Sequence, residues 1–536
     1  MTIFDRFRHD AKGNFAVITA LLAVPLVFGM GAAIDLARSQ NAQTRLQDAI
    51  DSAALAVVKD SGFDQTKAND IAAKMVKANY GTSYSDLTVQ LTSWGAVVTA
   101  KTVVPNTLSG IFDFVSLNAT VSGTVQYPPT KYEIVLVLDT TGSMEGTKIK
   151  NMRDAASKMV DALTDTEIMR RRVSFALVPF ANYVNVGKDK ATASWIDKDG
   201  LLQEPGSIIP VGVSRIKMFK DSFGIDWPGC VQTRLESGSE TYSVDDTTPS
   251  TTTPRTLFLP VFTPDEPSTT SWGSKIYPND YMADSSLKGL GVVKKNGVWT
   301  YSRVSKNYSY RFYSNVSTPQ GPDWDCDIQP ITALTNDYAK VKSQIAKLEA
   351  SGSTNITEGV SWGMRVLSPG EPFTEGLATT ADVQKIMVLL TDGDNSITRL
   401  SNTNKSAYSS MGYIKDGRYD GSYKSDSGAY TVCRNNTLTS DGNCTITTAG
   451  TATPPSESTV LTAMNKMTSA ACEYAKKSAK MEVYTIRLEV DSSESSTLLS
   501  NCATDASHYY DAPDSSKLQE IFDDIASRIR KLQITS

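Results

Sequence analysis

The chain has 536 residues, 40% of them hydrophobic and 21% charged, with a formal net charge of −5. Such a length accommodates two to four domains of ordinary globular composition. The weak charge, with no long Lys/Arg run, argues against a nucleic-acid binder. With only two histidines, His9 and His508, a His-based triad or a multi-histidine zinc site is disfavoured, and any metal should be a hard ion held by oxygen.

Phe15 to Ile34 is an uncharged run of 20 residues, long enough to cross a hydrocarbon core about 30 Å thick at about 1.5 Å per residue. Arg6, Arg8 and Lys12 precede it, and Asp35 and Arg38 follow. The positive-inside rule therefore keeps the N-terminus cytoplasmic and sends the bulk of the chain across. Residues 1–38 read as a cytoplasmic tip and single-pass anchor in the inner (cytoplasmic) membrane, with the rest periplasmic or extracellular. The rival reading is a cleaved signal peptide; its apolar region is usually about 7–15 residues, but a small-x-small site exists near Gly31–Ala33.

The helix continues beyond the apolar run, with Ala42, Leu46, Ala49, Ile50, Ala53 and Val57 on one face, and Ala68 to Val76 mark a second helix. Alternation at Leu87-Val89-Leu91 and from Leu117 to Tyr127 predicts strands. Residues 39–127 thus form a small α+β region, and Pro128-Pro129-Thr130 reads as a linker.

From residue 131 the pattern changes. Ile134 to Leu138 is a continuous apolar run, as expected of a strand buried on both faces. A helix follows (Ile149 to Leu163), then a strand (Val173–Val178), a helix spanning Leu334, Tyr338, Val341, Ile345 and Leu348, and a strand at Ile386–Leu390. A helix around Leu461–Ala479, a strand at Val483–Val490 and a last helix through Leu518, Phe522 and Ile529 complete the series. This alternation predicts an α/β fold with a doubly wound, mainly parallel sheet over residues 131–536. Residues 185–330 and 396–455 are rich in Ser and Thr, lack a sustained period, and read as long insertions.

Six dispersed cysteines, none in a C-x-x-C pair, suit an oxidising compartment. Nesting by element suggests Cys230–Cys326, Cys433–Cys444 and Cys472–Cys502; the alternative is six buried free thiols.

In an open parallel sheet, ligands bind beyond the carboxyl ends of the strands. Three segments fall there: Asp139-Thr140-Thr141-Gly142-Ser143, Ser351-Gly352-Ser353-Thr354-Asn355, and Thr391-Asp392-Gly393-Asp394. Asp139 and Asp392 supply carboxylates; Thr141, Ser143 and Thr354 supply hydroxyls. This all-oxygen set suits Mg²⁺, or another hard divalent cation such as Mn²⁺ or Ca²⁺. Two carboxylates under-neutralise the ion, so the site should accept an acidic group from a partner. Asp394 and Glu358 read as exposed acids near the site, and His508 as a packed strand-end histidine.

D-x-T-x-S-M after an apolar strand, a distant G-S-T-N and L-L-T-D-G after another strand resemble the metal-ion-dependent adhesion site of von Willebrand factor type A domains. The resemblance implies a Rossmann-like fold and metal ligation by Asp139, Thr141, Ser143, Thr354 and Asp392. Lys12-Gly13-Asn14-Phe15-Ala16, Ala32-Ala33-Ile34-Asp35-Leu36-Ala37-Arg38, Val178-Pro179-Phe180-Ala181-Asn182-Tyr183 and the segment Gly359–Leu367 are similar to the TadG-like proteins of tight-adherence (Flp) pilus systems. In that family a pilin-like N-terminal region precedes the type A domain. Ile18 stands where prepilin-peptidase substrates carry Glu, so the resemblance favours an intact anchor.

The expectation is a membrane-anchored, non-enzymatic, metal-dependent binding component of pilus assembly or surface adhesion. Its partner would be a protein offering an acidic residue, such as a pilus component, and not a nucleic acid. Two alternatives stand beside it: a scaffold whose insertions bind partners independently of metal, and a metal-dependent hydrolase. The hydrolase lacks a histidine near the motif, a G-x-S-x-G elbow and an H-E-x-x-H helix.

Overall fold

A computed structural model describes residues 14–61, 64–92, 95–105, 117–126, 130–202, 209–234, 242–264, 279, 290–304, 321–380, 382–399, 406–414, 432–438, 444–447 and 455–535. The chain divides into two compact units, Met1–Pro129 and, apart from Thr166–Ile168, Thr130–Thr535.

In the first unit, helix α1 (Asn14–Asp60) runs unbroken for 47 residues, with Pro25 inside it. It is long and apolar enough at its start to cross a membrane, and Leu21, Leu22, Leu26 and Met30 are all more than half exposed. Its second half changes character. Leu46, Ala49, Ile50, Ala53 and Val57 are buried, and they pack with Ala68, Ala72 and Val76 of helix α2 (Gln65–Asn79). Both helices cover an antiparallel sheet ordered β1 (Ser85–Thr92), β2 (Gly95–Val104), β3 (Leu117–Gln126). The middle strand was not expected from the sequence. Its inward positions Ala96, Val98 and Ala100 are small, which mutes the apolar alternation. Tyr127 and the Pro128-Pro129 segment lie outside the described residues.

The second unit is a six-stranded sheet between two helical layers. Its strands are β4 (Lys131–Asp139), β5 (Val173–Phe180), β6 (Thr332–Thr335), β7 (Val383–Thr391), β8 (Glu482–Leu488) and β9 (Tyr509–Ala512), in the order β6-β5-β4-β7-β8-β9. All neighbours are parallel except the edge pair β6–β5. Leu334, assigned to a helix from the sequence, sits on β6. The helix after it begins only at Tyr338, where Asp337 caps it by accepting the Lys340 N–H at 3.0 Å.

Alternate residues of each strand feed opposite cores, as the two-residue strand period requires. Ile134, Leu136, Leu138, Ile386, Val388 and Leu390 meet α3 (Thr147–Leu163), α4 (Tyr338–Ile345) and α8 (Leu518–Thr535) on one face. Val135, Val137, Met387, Leu389 and Val483 meet α5 (Ile356–Leu367), α6 (Glu457–Lys477) and α7 (Ser493–Cys502) on the other. Cys472 and Cys502 join α6 to α7, and Cys230 and Cys326 tie the interior of the first inserted segment to its C-terminal end. The expected Cys433–Cys444 pair falls on side chains outside those described.

Described residues of the first inserted segment are part of the core. Every residue of α5 is buried, so its outer side also needs cover. Trp195, Phe219, Phe258 and Phe262 supply it, packing in one cluster with Val135, Val360 and Trp362. Trp195 stands 6.5 Å from Trp362 and 5.9 Å from Phe258, ring centre to ring centre. On the inner side, Gly363 lets the helix touch the sheet. A Cβ there would stand 2.6 Å from a Val137 methyl.

Trp195→Ala should therefore lower the unfolding free energy of the whole type α/β unit by about 3–5 kcal/mol, the usual cost of emptying a large buried aromatic site. Urea unfolding followed by circular dichroism reads this out. An unchanged main transition would mean that the inserted segment is a separable module.

Candidate metal centre

The strand order reverses between β4 and β7, which leave the sheet side by side in parallel register with Leu138 opposite Leu390. That is the switch point at which an open α/β sheet forms its ligand crevice. Asp139 and Asp392 are carried there on adjacent strand ends, and both are buried.

Each carboxylate oxygen has a defined neighbour. Asp139 Oδ1 accepts the Thr141 N–H at 2.8 Å, and Oδ2 accepts the Thr391 hydroxyl at 2.6 Å. Asp392 Oδ1 accepts the Ser143 hydroxyl at 2.6 Å, and Oδ2 accepts the Lys148 ammonium at 2.8 Å. The Thr141 and Ser143 hydroxyls are 3.0 Å apart. A tight turn after β4, with a short 3-10 segment at Gly142–Met144, brings them together.

The third loop is stitched to the first through the backbone. Ser351 N–H donates to the Thr140 carbonyl at 2.7 Å, and Gly142 N–H donates to the Gly352 carbonyl at 3.0 Å. Gly352 has φ of +79°, a conformation that costs a residue without Cβ little. The loop places Thr354, whose N–H donates to Ser396 Oγ at 2.9 Å while its carbonyl accepts the Ser396 N–H at 2.8 Å. A Cβ added at Gly393 would stand 3.5 Å from Thr354 Oγ1, so the threonine hydroxyl borders the chain just after Asp392. All five sequence-predicted residues therefore gather at one end of the sheet. Their oxygens fit a hard divalent ion in chemistry and number. Among the described residues no cluster of three His, Cys, Asp or Glu offers a carboxylate- or thiolate-rich alternative.

Burial, then the neighbouring Asp392 charge, push Asp139 up to about 6, against the pull of hydrogen bonds from Thr141 and Thr391. The sequence reading missed Thr391, Lys148 and Glu489. Thr391 stood in the third candidate segment without a role of its own, and Lys148 falls just before the apolar positions that mark the helix. Lys148 also approaches Glu489 at 3.6 Å, whose other oxygen accepts the Ser515 N–H at 2.6 Å.

Other expectations divide. Asp394 is exposed, as expected, but Glu358 is fully buried. It bonds Thr233 and accepts the Trp362 indole N–H at 3.1 Å; burial, partly offset by these bonds and by Arg365, raises its pKa. It turns toward the inserted segment because α5 has no solvent side. His508 bridges Glu482 at 2.9 Å and Asp505 at 2.8 Å, at the amino end of β9 and so away from the carboxyl strand ends. His9 lies outside the described residues.

Residues 13–60 match the Flp pilus-assembly TadE/G-like family, and residues 133–203 match the von Willebrand factor type A domain. No curated protein matches the chain. Among solved structures, the vWF domain of the type V pili tip protein Mfa5 from Porphyromonas gingivalis is 12% identical, with 75% of this chain and 95% of that one covered and a TM-score of 0.31. The pilus adhesin SpaC from Lactobacillus rhamnosus GG, in its open conformation, is 12% identical over 83% of this chain, with a TM-score of 0.32; this chain spans 34% of its length. Proximal thread matrix protein 1 from the mussel byssus, with a zinc-occupied MIDAS motif, is 11% identical over 74% of this chain and 45% of that one, with a TM-score of 0.27. The chain thus carries a TadE/G-like N-terminal segment and a von Willebrand factor type A domain.

The raised Asp139 pKa has a stability consequence. A carboxyl with a folded pKa above its unfolded value stabilises the fold only while protonated, and that contribution is lost as pH rises from about 4 through about 6. In EDTA, Asp139→Asn should therefore gain on the parent across this window, by roughly 3 kcal/mol once pH exceeds 6. Thermal melts of both proteins between pH 4 and pH 8 test it; a constant difference across that range would contradict the assignment.

Proposed function

We propose that this chain is a membrane-anchored, non-enzymatic binding component of Flp/Tad pilus assembly or surface adhesion. In this reading a divalent cation, Mg²⁺ or a similar hard ion, is held by Asp139, Thr141, Ser143, Thr354 and Asp392 and docks an acidic group of a protein partner. One observation carries it: three loops distant in sequence converge on one all-oxygen cluster at the sheet's switch point. The TadE/G-like segment joined to a type A domain supports the pilus setting.

The bound ion would supply a fixed positive charge with open coordination positions. Thr141 and Ser143 would offer neutral hydroxyl oxygens, and Asp139 and Asp392, when both are ionised, would match its two charges, while the Lys148 ammonium beside Asp392 leaves the cluster positive in sum. The remainder attracts a carboxylate. The basic residues before α1 favour a cytoplasmic N-terminus, and disulfides at Cys230–Cys326 and Cys472–Cys502 suit a body outside the cytoplasm.

Two observations weigh against the alternatives. Trp195, Phe219 and Phe258 of the first inserted segment are buried in the domain core, so these aromatics are not free to serve a scaffold whose insertions bind partners independently of metal. The described histidine, His508, sits beside Glu482, which pairs with Ile386 and, through it, aligns with Ile134. That register is five residues, about 17 Å of strand, before Asp139, so it offers no base to an ion-activated water.

Asp139→Ala in the full chain should abolish Mg²⁺-dependent capture of pilus components, as EDTA should for the parent protein. Pull-downs from cells expressing the pilus system, with and without EDTA, provide the measurement. Capture that survives both treatments would sink the proposed role of the ion.

A further inference from the structure

We infer that Lys148 is a positioning residue of the cation site, a built-in ammonium that makes cation affinity depend on an added carboxylate. This inference rests on the metal-binding reading above. Lys148 Nζ stands 2.8 Å from Asp392 Oδ2 and 3.6 Å from Glu489 Oε2. The Asp392 side chain is wholly buried, and that of Lys148 is 23% exposed. The two oxygens of Asp392 are thereby divided: one is held by the ammonium and the other faces the Ser143 hydroxyl.

The location is unfavourable for a cation on its own account. Lys148 is the second residue of α3, whose Gly146 cap offers no side-chain hydrogen bond. A positive charge in a first helical turn opposes the helix dipole, and a long lysine stem could carry its charge out to water. Instead it reaches a buried carboxylate of the site. Without an ion, Asp139 and Asp392 carry two negative charges when ionised, and Lys148 reduces the sum to one. A divalent cation would then bring the cluster to a net positive charge, which a partner carboxylate neutralises. Glu489 offsets this only in part, because it is more distant, 28% exposed, and shared with the Ser515 N–H.

Lys148 therefore weakens binding of the ion alone and strengthens the mutual dependence of ion and carboxylate. By linkage, the ion tightens carboxylate binding by the same factor that the carboxylate tightens ion binding. The ammonium also fixes the orientation of Asp392, so one residue sets both the geometry and the charge of the cluster.

The test is calorimetric titration of the full chain in detergent with Mn²⁺, alone and with saturating acetate as the carboxylate probe. The parent protein should bind Mn²⁺ more tightly when acetate is present. Lys148→Met should bind Mn²⁺ alone on the order of tenfold more tightly, as expected from removing a nearby like charge, and should lose most of the acetate effect. It should also melt earlier than the parent in EDTA, where two carboxylates are left without the ammonium. Lys148→Arg should keep the parental pattern. Lys148→Gln, which retains a donor for Asp392 without the charge, should follow Lys148→Met and serves in its place should that variant not fold. Parental Mn²⁺ affinity and acetate dependence in the uncharged variants would overturn this inference alone. Absence of saturable Mn²⁺ binding in the parent would overturn the metal-binding reading itself.

Discussion

Two carboxylates must be held side by side where there is little water, and the rest of the candidate centre is arranged around that constraint. Parallel pairing of β4 with β7 sets Leu138 against Leu390, so the next residues deliver Asp139 and Asp392 to the same crevice. Like charges so placed repel, and burial withholds the solvent that would screen them. The side chains respond by division of labour. Asp139 is held by the Thr141 backbone and the Thr391 hydroxyl, and Asp392 by Ser143 and Lys148. Asp139 keeps a raised pKa despite these bonds. The arrangement is electrostatically incomplete, and a cation would relieve it.

The long segment between β5 and β6 serves the same centre from behind. Helix α5 starts directly after the loop that carries Thr354, and it buries two charged residues, Glu358 and Arg365. Buried charges need partners, and the inserted segment provides them. Thr233 bonds Glu358, while the Ser243 and Asp245 carbonyls each accept from Arg365 at 3.0 Å. Phe258 lies 5.3 Å from the Arg234 guanidinium and 5.1 Å from that of Arg365. Burial lowers the Arg365 pKa to about 9. A helix gripped this firmly gives the Thr354 loop a fixed base, so a stretch with no periodic signature helps to define the position of the Thr354 hydroxyl.

Legibility in the sequence followed physical cause. Strands buried on both faces were plain, because Ile134–Leu138 and Ile386–Leu390 have no polar interruption, and the gathering of the five oxygen-bearing residues at one end of the sheet was legible because ligands bind beyond parallel strand ends. Four features were not legible. The strand Gly95–Val104 hides its inward face in small residues, and the four-residue edge strand at Thr332–Thr335 merges with the amphipathic helix after it. The inserted segment contributes its aromatics singly, from turns and short helices, so Trp195, Phe219 and Phe258 never form a period. Lys148 escaped notice for another reason. Its helical spacing marks it as surface, and only the three-dimensional approach of Asp392, 244 residues away, gives it a role.

The same distribution of partners separates binding from catalysis on the proposed reading. A catalytic ion needs a nearby base able to take a proton from its water. Both oxygens of Asp139 are engaged as acceptors, and Asp392 is shared between a hydroxyl and an ammonium. His508 is committed to Glu482 and Asp505 away from the crevice. What these residues can do is hold a charge in place and leave it unbalanced. An unbalanced, fixed positive charge at the carboxyl ends of the central strands would discriminate among partners by whether they bring a carboxylate. On that reading Lys148 would sharpen the choice, because its charge would make the ion without its ligand less stable than the ion with it.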